Sequence, residues 1–182
     1  MHPVRLVAPG PERLPQYAAA LERGWSPNTM RDVSGEQLAH LRSDPDGFLA
    51  SLTDPNGTVV LADGQRVPRL PSHLFWLDDG EFCGAINLRY QPGTTALPPH
   101  CLGHIGYAVV PWKQGLGHAK AALAMVLPVA RQAGLPYVVL HCDESNVASR
   151  HVIEANGGDL QSIVLQRSAA TPYHQCTYRI AL

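Results

Sequence analysis

Residues His104 to Ala119, HIGYAVVPWKQGLGHA, restrict the fold more than any other part of this chain. An apolar run, Ile105 to Val110, stops at Pro111, which lacks the N–H that a continuing ladder needs. A glycine turn, Gln114-Gly115-Leu116-Gly117, follows, and an alanine-rich helix begins near His118. A strand, a tight glycine loop and a helix N-terminus in this order make an anion site. Unpaired N–H groups of the first helical turn converge there, and the helix dipole adds roughly half a positive charge. The expected ligand carries phosphate. Two common phosphate loops are excluded by the residues themselves. The P-loop of nucleotide hydrolases needs Lys-Ser or Lys-Thr after its last glycine, and this loop has neither. The dinucleotide fingerprint needs a third small residue where this chain has Lys120.

What remains is Gln114-x-x-Gly117-x-Ala119, of the form [QR]-x-x-G-x-[GA]. A second segment lies downstream. Pro136 to Asp143, PYVVLHCD, reads as a buried strand; Asn146-Val147-Ala148-Ser149 opens a helix over 147–156, and Gly157-Gly158 ends it. The two motifs, in this order and separation, resemble the acetyl-CoA loop and the following Asn-x-x-[Ser/Ala] helix of GNAT-type N-acetyltransferases. The string CDESNVASRHVIEANGG also resembles one branch of predicted bacterial acetyltransferases. The specific resemblance covers about residues 73 to 160, and the N-terminal part matches in element order only.

The resemblance implies an α/β (α+β) fold. Its centre is a mixed, mostly antiparallel sheet with helices on both faces, and the strands near 105–110 and 136–142 splay into a V. Residues 1–182 are expected to form a single domain. Acetyl-CoA enters the V as cosubstrate. Its pyrophosphate meets the main chain of Gln114, Gly115, Leu116, Gly117, His118 and Ala119, where glycine lets the backbone approach. By resemblance, a bulge at Val109 and Val110 frees N–H groups for the acetyl carbonyl and the pantetheine, and such donors stabilise an oxyanion. Asn146 meets the pantetheine arm, or serves only as an N-cap. Ser149 lies one turn on, facing the same side.

The implied reaction is transfer of acetyl to a primary amine by direct attack in a ternary complex. The acceptor is a small-molecule or peptide amine. The catalytic groups depart from the family pattern. Many members carry a Tyr seven residues after the Asn, which protonates the leaving thiolate; here that position is Ile153. A thiol of pKa about 8.5 leaves tolerably unaided. Ser149, Cys142 or water are the candidate proton donors. Where members often carry a Glu before the loop strand, this chain has His104. A neutral imidazole there can take a proton from an ammonium; the alternative is an exposed side chain at a loop-to-strand junction. Asp143 and Glu144 are the other base candidates, or complements to a helix N-terminus. The rival function is a non-catalytic acyl-CoA sensor.

Composition narrows the partners. Lys+Arg 14 nearly balances Asp+Glu 15, so no charge field argues for nucleic acid. No apolar run approaches the ~20 residues of a membrane helix. The first residues lack the apolar core of a secretory signal. Cys83, Cys101, Cys142 and Cys176 are widely spaced, which suits reduced thiols in a cytoplasmic protein. His100-Cys101 with His104 matches no standard zinc spacing, and no metal is expected. The oligomeric state, a homodimer included, is left open.

The remaining elements follow from periodicity and punctuation. A strand is expected over 4–7 and a helix over 11–23. A second helix spans 34–41 with Ser34 as N-cap, and a short one spans 44–52. Strands 74–77 and 81–90 join at Asp78-Asp79-Gly80. A Pro-rich excursion, 91–103, either borders the acceptor cleft or is a plain connection. Pro128 is expected to kink the loop helix. The last two strands, 160–166 and 173–181, meet at a turn over 168–172.

Overall fold

Trp76 and Leu77 are neighbours on one strand and belong to two different cores. Alternation of this kind sends successive side chains to opposite faces of a sheet, and here both faces are covered. The protein is described by a computed structural model over residues 2–61, 63–167 and 171–182. Strand β1 is Arg5–Val7, β4 is Ser72–Asp78, β5 is Phe82–Arg89 and β6 is Ile105–Val109. They form a four-stranded sheet in the order β1-β4-β5-β6, in which every pair is antiparallel. A second sheet, β7-β9-β8, contains β7 (Tyr137–Asp143), β8 (Asp159–Gln166) and β9 (Tyr173–Ala181).

Helices α1 (Leu14–Glu22), α2 (Ser34–Ser43) and α3 (Pro45–Thr53) cover one face. Tyr17, Leu21, Leu41 and Phe48 meet Trp76, Phe82 and Ala85 there. Helices α4 (His118–Gln132) and α5 (Val147–Glu154) cover the other. Ala122, Leu123, Val126 and Ile153 pack on Leu77, Ile86, Leu88, Val138 and Leu140. Antiparallel sheets with helices on both faces agree with the expected α/β class, although every ladder among the described residues is antiparallel and no sheet is mixed. Among the described residues, no helix is long and apolar enough to cross a membrane.

Several expectations need correction. A hairpin of β2 (Thr58–Val60) and β3 (Arg66–Pro68) was not anticipated. Ser34 is the first helical residue and not the cap; Asp32 accepts its N–H at 2.8 Å. Helix α4 runs unbroken across Pro128. Helix α5 ends at Glu154 and not at 156. Most of the turn expected over 168–172 lies outside the described residues.

Asp78 at the end of β4 ties the N-terminal elements to the sheet. Its side chain is 2% exposed and bonds Arg5 at 3.0 Å, and also Arg13. Burial alone would raise its pKa, but hydrogen bonds from Arg13, the Gly80 N–H and Arg5 outweigh it and bring the pKa down to about 2. A folded pKa below the unfolded value gives stability that is complete above about pH 4 and lost as pH falls through about 2. The contribution is on the order of 2 kcal/mol. Urea unfolding between pH 5 and pH 2 should therefore show a smaller acid loss in Asp78→Asn than in the wild type. Equal losses would remove Asp78 as the source.

Candidate active site

Strands β6 and β7 are neighbours in the fold but share no ladder among the described residues, since each belongs to its own sheet. They touch near their N-terminal ends. The His104 N–H donates to the Val139 carbonyl at 2.7 Å, and the Val139 N–H donates to His104 Nδ1 at 2.9 Å. Gly103 permits this contact: at φ +76°, a Cβ there would stand 2.7 Å from the Val139 carbonyl oxygen. Beyond this contact no further backbone bond joins β6 to β7 among the described residues.

The direction of the backbone groups in β6 follows from its pairing. Arg89 N–H donates to His104 C=O, and Val110 N–H donates to Cys83 C=O at 2.9 Å. In an antiparallel pair the bonded residues alternate. Residues 104, 106, 108 and 110 therefore face β5, while Tyr107 and Val109 turn their N–H groups toward the gap. Val110 corrects the sequence expectation, because its N–H is already used. The expected bulge is also absent from β6, whose register with β5 is regular. The irregularity lies instead between β4 and β5, where Leu77 pairs with Gly84 and Asp78 with Phe82, leaving Cys83 as the extra residue.

At the far end of β6 the chain makes one 3₁₀ turn, Pro111–Lys113, and enters the loop. Gly115 and Gly117 have φ of +75° and +80°, the left-handed region glycine tolerates. The N–H groups of Gly115, Leu116, Gly117, His118, Ala119 and Lys120 find no backbone acceptor among the described residues; the next N–H, of Ala121, bonds the Gly117 carbonyl at 3.0 Å. Six consecutive free donors at a helix N-terminus suit a phosphate. An open cavity of about 390 Å³ adjoins them, bordered by His2, Pro3, Val4, Leu116, Gly117, His118 and Ala121. Gln114 turns its amide back to the Val109 carbonyl at 3.2 Å. The His118 side chain is buried and points away, with Nε2 3.1 Å from Asp79. Only the main chain of His118 is therefore available to a ligand. Asp79, Cys83 and His118 form a buried group of metal-type ligands. The Lys113 ammonium, 3.1 Å from both Asp79 oxygens, already supplies that group with a cation.

Across the gap, Asn146 caps α5 by accepting the Ser149 N–H at 3.0 Å. The Ser149 hydroxyl lies 2.9 Å from the Tyr107 hydroxyl, and either can donate. Tyr107 thus reaches from β6 to α5. Burial pushes its pKa up to about 12, so the phenol is protonated at neutral pH. Cys142 lies beside the same serine, and burial holds its thiol up at about 11. The sequence did not single out Tyr107. Its only signal was its place in the strand, two residues from both Ile105 and Val109. Asp143, a base candidate, is tied into a local turn: Oδ1 accepts the Ser145 N–H at 2.8 Å and its hydroxyl at 2.7 Å. These bonds lower its pKa and make it a weak base. Glu144 is a middle residue of that turn, and its carboxylate faces His174 at 3.5 Å.

His104 is also corrected. It is 1% exposed, not an exposed junction residue. Nδ1 accepts the Val139 N–H, so the proton of the neutral ring sits on Nε2. Nε2 is buried without a partner among the described residues. Burial lowers the pKa first of all, the Arg89 charge lowers it further, and the Val139 N–H on Nδ1 also favours the neutral ring. A ring with its lone pair occupied and a proton on the other nitrogen is not poised as a base. The Pro-rich excursion borders an open cavity of about 340 Å³ with Val139 and His141. His141, also missed in the sequence, has Nδ1 3.1 Å from the Thr177 hydroxyl.

The family profile described as the acetyltransferase (GNAT) family matches residues 34–157. No curated protein matches significantly. Among solved structures, the chain is similar to RimL, a ribosomal L7/L12 alpha-N-protein acetyltransferase in complex with coenzyme A. That match has TM-score 0.66 and 16% identity, and covers 98% of this chain and 94% of the other. The microcin C7 self-immunity acetyltransferase MccE, in complex with acetyl-CoA and AMP, gives TM-score 0.64 and 10% identity over 98% and 92%. A spermidine N-acetyltransferase SpeG chimera from Vibrio cholerae and hSSAT gives 0.62 and 12% over 98% and 95%. At these identities the likeness is one of fold.

Proposed function

The chain belongs to the acetyltransferase (GNAT) family, and from that premise we propose that it is an acetyl-CoA-dependent N-acetyltransferase acting on an amine held against the β6–β7 gap. The observation that carries this reading is the row of six free N–H groups at 115–120, set at the mouth of a gap lined by two more. The main chain of 115–120 binds the pyrophosphate. The N–H groups of Tyr107 and Val109, with the Asn146 amide, hold the pantetheine arm. Acetyl-CoA supplies the thioester carbonyl that the amine attacks. Structures of similar fold were solved with acetyl-CoA or coenzyme A, which supports the choice of ligand.

The residues divide the proton work unevenly. Ser149 Oγ delivers a proton to the leaving sulfur, Tyr107 Oη replaces it through their 2.9 Å contact, and water returns a proton to Tyr107. No base is assigned to His104 or Asp143, for the reasons given by their hydrogen bonds, and the amine proton leaves to water. The relatives of similar fold act on a protein N-terminus and on spermidine according to their names. The cavity beside the excursion is lined here by Leu97, Pro98, Pro99 and Leu102 with two histidines. We infer an acceptor that presents one amine beside apolar groups, in preference to a polyamine, which needs carboxylates.

Tyr107→Phe should lower kcat about tenfold, a small effect for a proton donor because the thiolate leaves tolerably by itself. The KM for acetyl-CoA should stay close to the wild-type value. Free-thiol release across a panel of amines reads both quantities. CoA binding without turnover on any amine would favour the rival reading, an acyl-CoA sensor.

A further inference from the structure

One carboxylate holds both ends of the glycine loop. Asp79, in the β4–β5 turn, is buried. Lys113 Nζ donates to both of its oxygens at 3.1 Å, and His118 Nε2 lies 3.1 Å from Oδ2. A carboxylate only accepts, so His118 Nε2 carries the proton in this contact. Lys113 is the residue just before the loop and His118 the one just after it. Residues 114–117 therefore run between two points pinned to the same side chain. Two glycines allow the left-handed turns of this loop but do not select them, because glycine gives a free chain more conformations and not fewer.

We propose that Asp79 is a positioning residue for the cosubstrate: by fixing Lys113 and His118 it sets the loop so that the N–H groups of 115–120 face the pyrophosphate before it arrives. The proposal rests on the acetyl-CoA reading of the loop given above. Preorganised donors need no reorganisation on binding, and an anion gains what the loop would otherwise spend on ordering.

The sign of the charge effect makes the idea testable. Asp79 places a negative charge close to a site for a diphosphate. Lys113 offsets it, and Lys113 also bonds Glu81 at 2.9 Å. If Asp79 acted on the ligand through charge alone, removing that charge would favour an anion. A positioning residue gives the opposite result. Asparagine has the same shape, but its amide cannot hold both the ammonium and the imidazole N–H as the carboxylate does.

The experiment measures CoA binding by isothermal titration for wild type and Asp79→Asn, with steady-state kinetics on acetyl-CoA and on S-acetylpantetheine, which lacks the pyrophosphate. Asp79→Asn should weaken CoA binding about tenfold and raise the acetyl-CoA KM alike, with kcat within about twofold. The KM for S-acetylpantetheine should not move. Equal or tighter CoA binding by Asp79→Asn would overturn the proposal, and so would an equal loss with S-acetylpantetheine, which signals general damage. If Asp79→Asn does not fold, His118→Leu and His118→Gln carry the same test. Gln can still donate to Asp79 and Leu cannot, so Leu should lose the more affinity; equal losses count against the clamp. A wild-type protein that does not bind CoA at all fails the acetyltransferase reading itself, and the proposal falls with it.

Discussion

Replacing Gly117 by valine should cost the protein at least about 30-fold in CoA affinity, equivalent to about 2 kcal/mol. Two effects combine. Gly117 has φ +80°, where a side chain costs roughly 1–2 kcal/mol and a β-branched one more. The loop relieves that strain by leaving the conformation that aims its N–H groups outward. The fold should survive, because a Cβ at 117 meets no protein atom within 4 Å. Gly134 provides the matched control. It has φ +85°, ends α4, and also has open space around its Cβ. Gly134→Val should lose comparable stability and keep its CoA affinity. Titration calorimetry on both variants separates strain from ligand contact. A folded Gly117→Val protein with wild-type affinity would end the assignment of this loop.

How far the sequence carried this reading depended on what kind of interaction fixed each residue. The loop was legible because its signal is local: glycine spacing and a helix start specify backbone geometry within six residues. The paired strands around Asp78-Asp79-Gly80 were legible for the same reason. The β2–β3 hairpin was not, because strands of three residues are too short to show a period of two. Pro128 misled because the helix continues past the one hydrogen bond it removes.

The residues of the candidate site were the hardest to read, and for a physical reason. Their roles depend on contacts between residues far apart in sequence. Tyr107 acquires a partner only because Ser149, 42 positions on, lies across the gap. Asp79 looked like a turn residue until Lys113 and His118 were folded onto it. For His104 the sequence shows only a strand position and an ordinary ionisation range. What decides its chemistry is which nitrogen faces the Val139 N–H, and no sequence pattern reports that.

Ile153 shows how a departure from a family pattern can be read as packing. It stands seven residues after Asn146, where the resemblance would place a proton-donating Tyr. In this protein it is 1% exposed and belongs to the main core with Leu123, Val126 and Leu140. Its Cγ2 would lie 2.4 Å from a Cβ at Gly158, so the side chain fills the space that this glycine leaves open. Its carbonyl accepts the N–H groups of both Asn156 and Gly158 at 3.0 Å, closing the end of α5. Removing three carbons from such a site costs their transfer from water and leaves a cavity. Ile153→Ala should therefore lose about 2–5 kcal/mol, toward the upper part of that range if α5 cannot settle inward. For a chain of this length the melting temperature should fall by roughly 5–15 °C. Below the transition, kcat per folded molecule should remain near wild type, because Tyr107 and Ser149 are untouched. Ile153→Tyr should not raise kcat; the larger ring has to enter a filled core and should destabilise by about 1–3 kcal/mol. Urea unfolding and thiol-release rates at low temperature measure the two consequences separately. A stable Ile153→Tyr protein with a higher kcat would place this position at the thioester and not in the core.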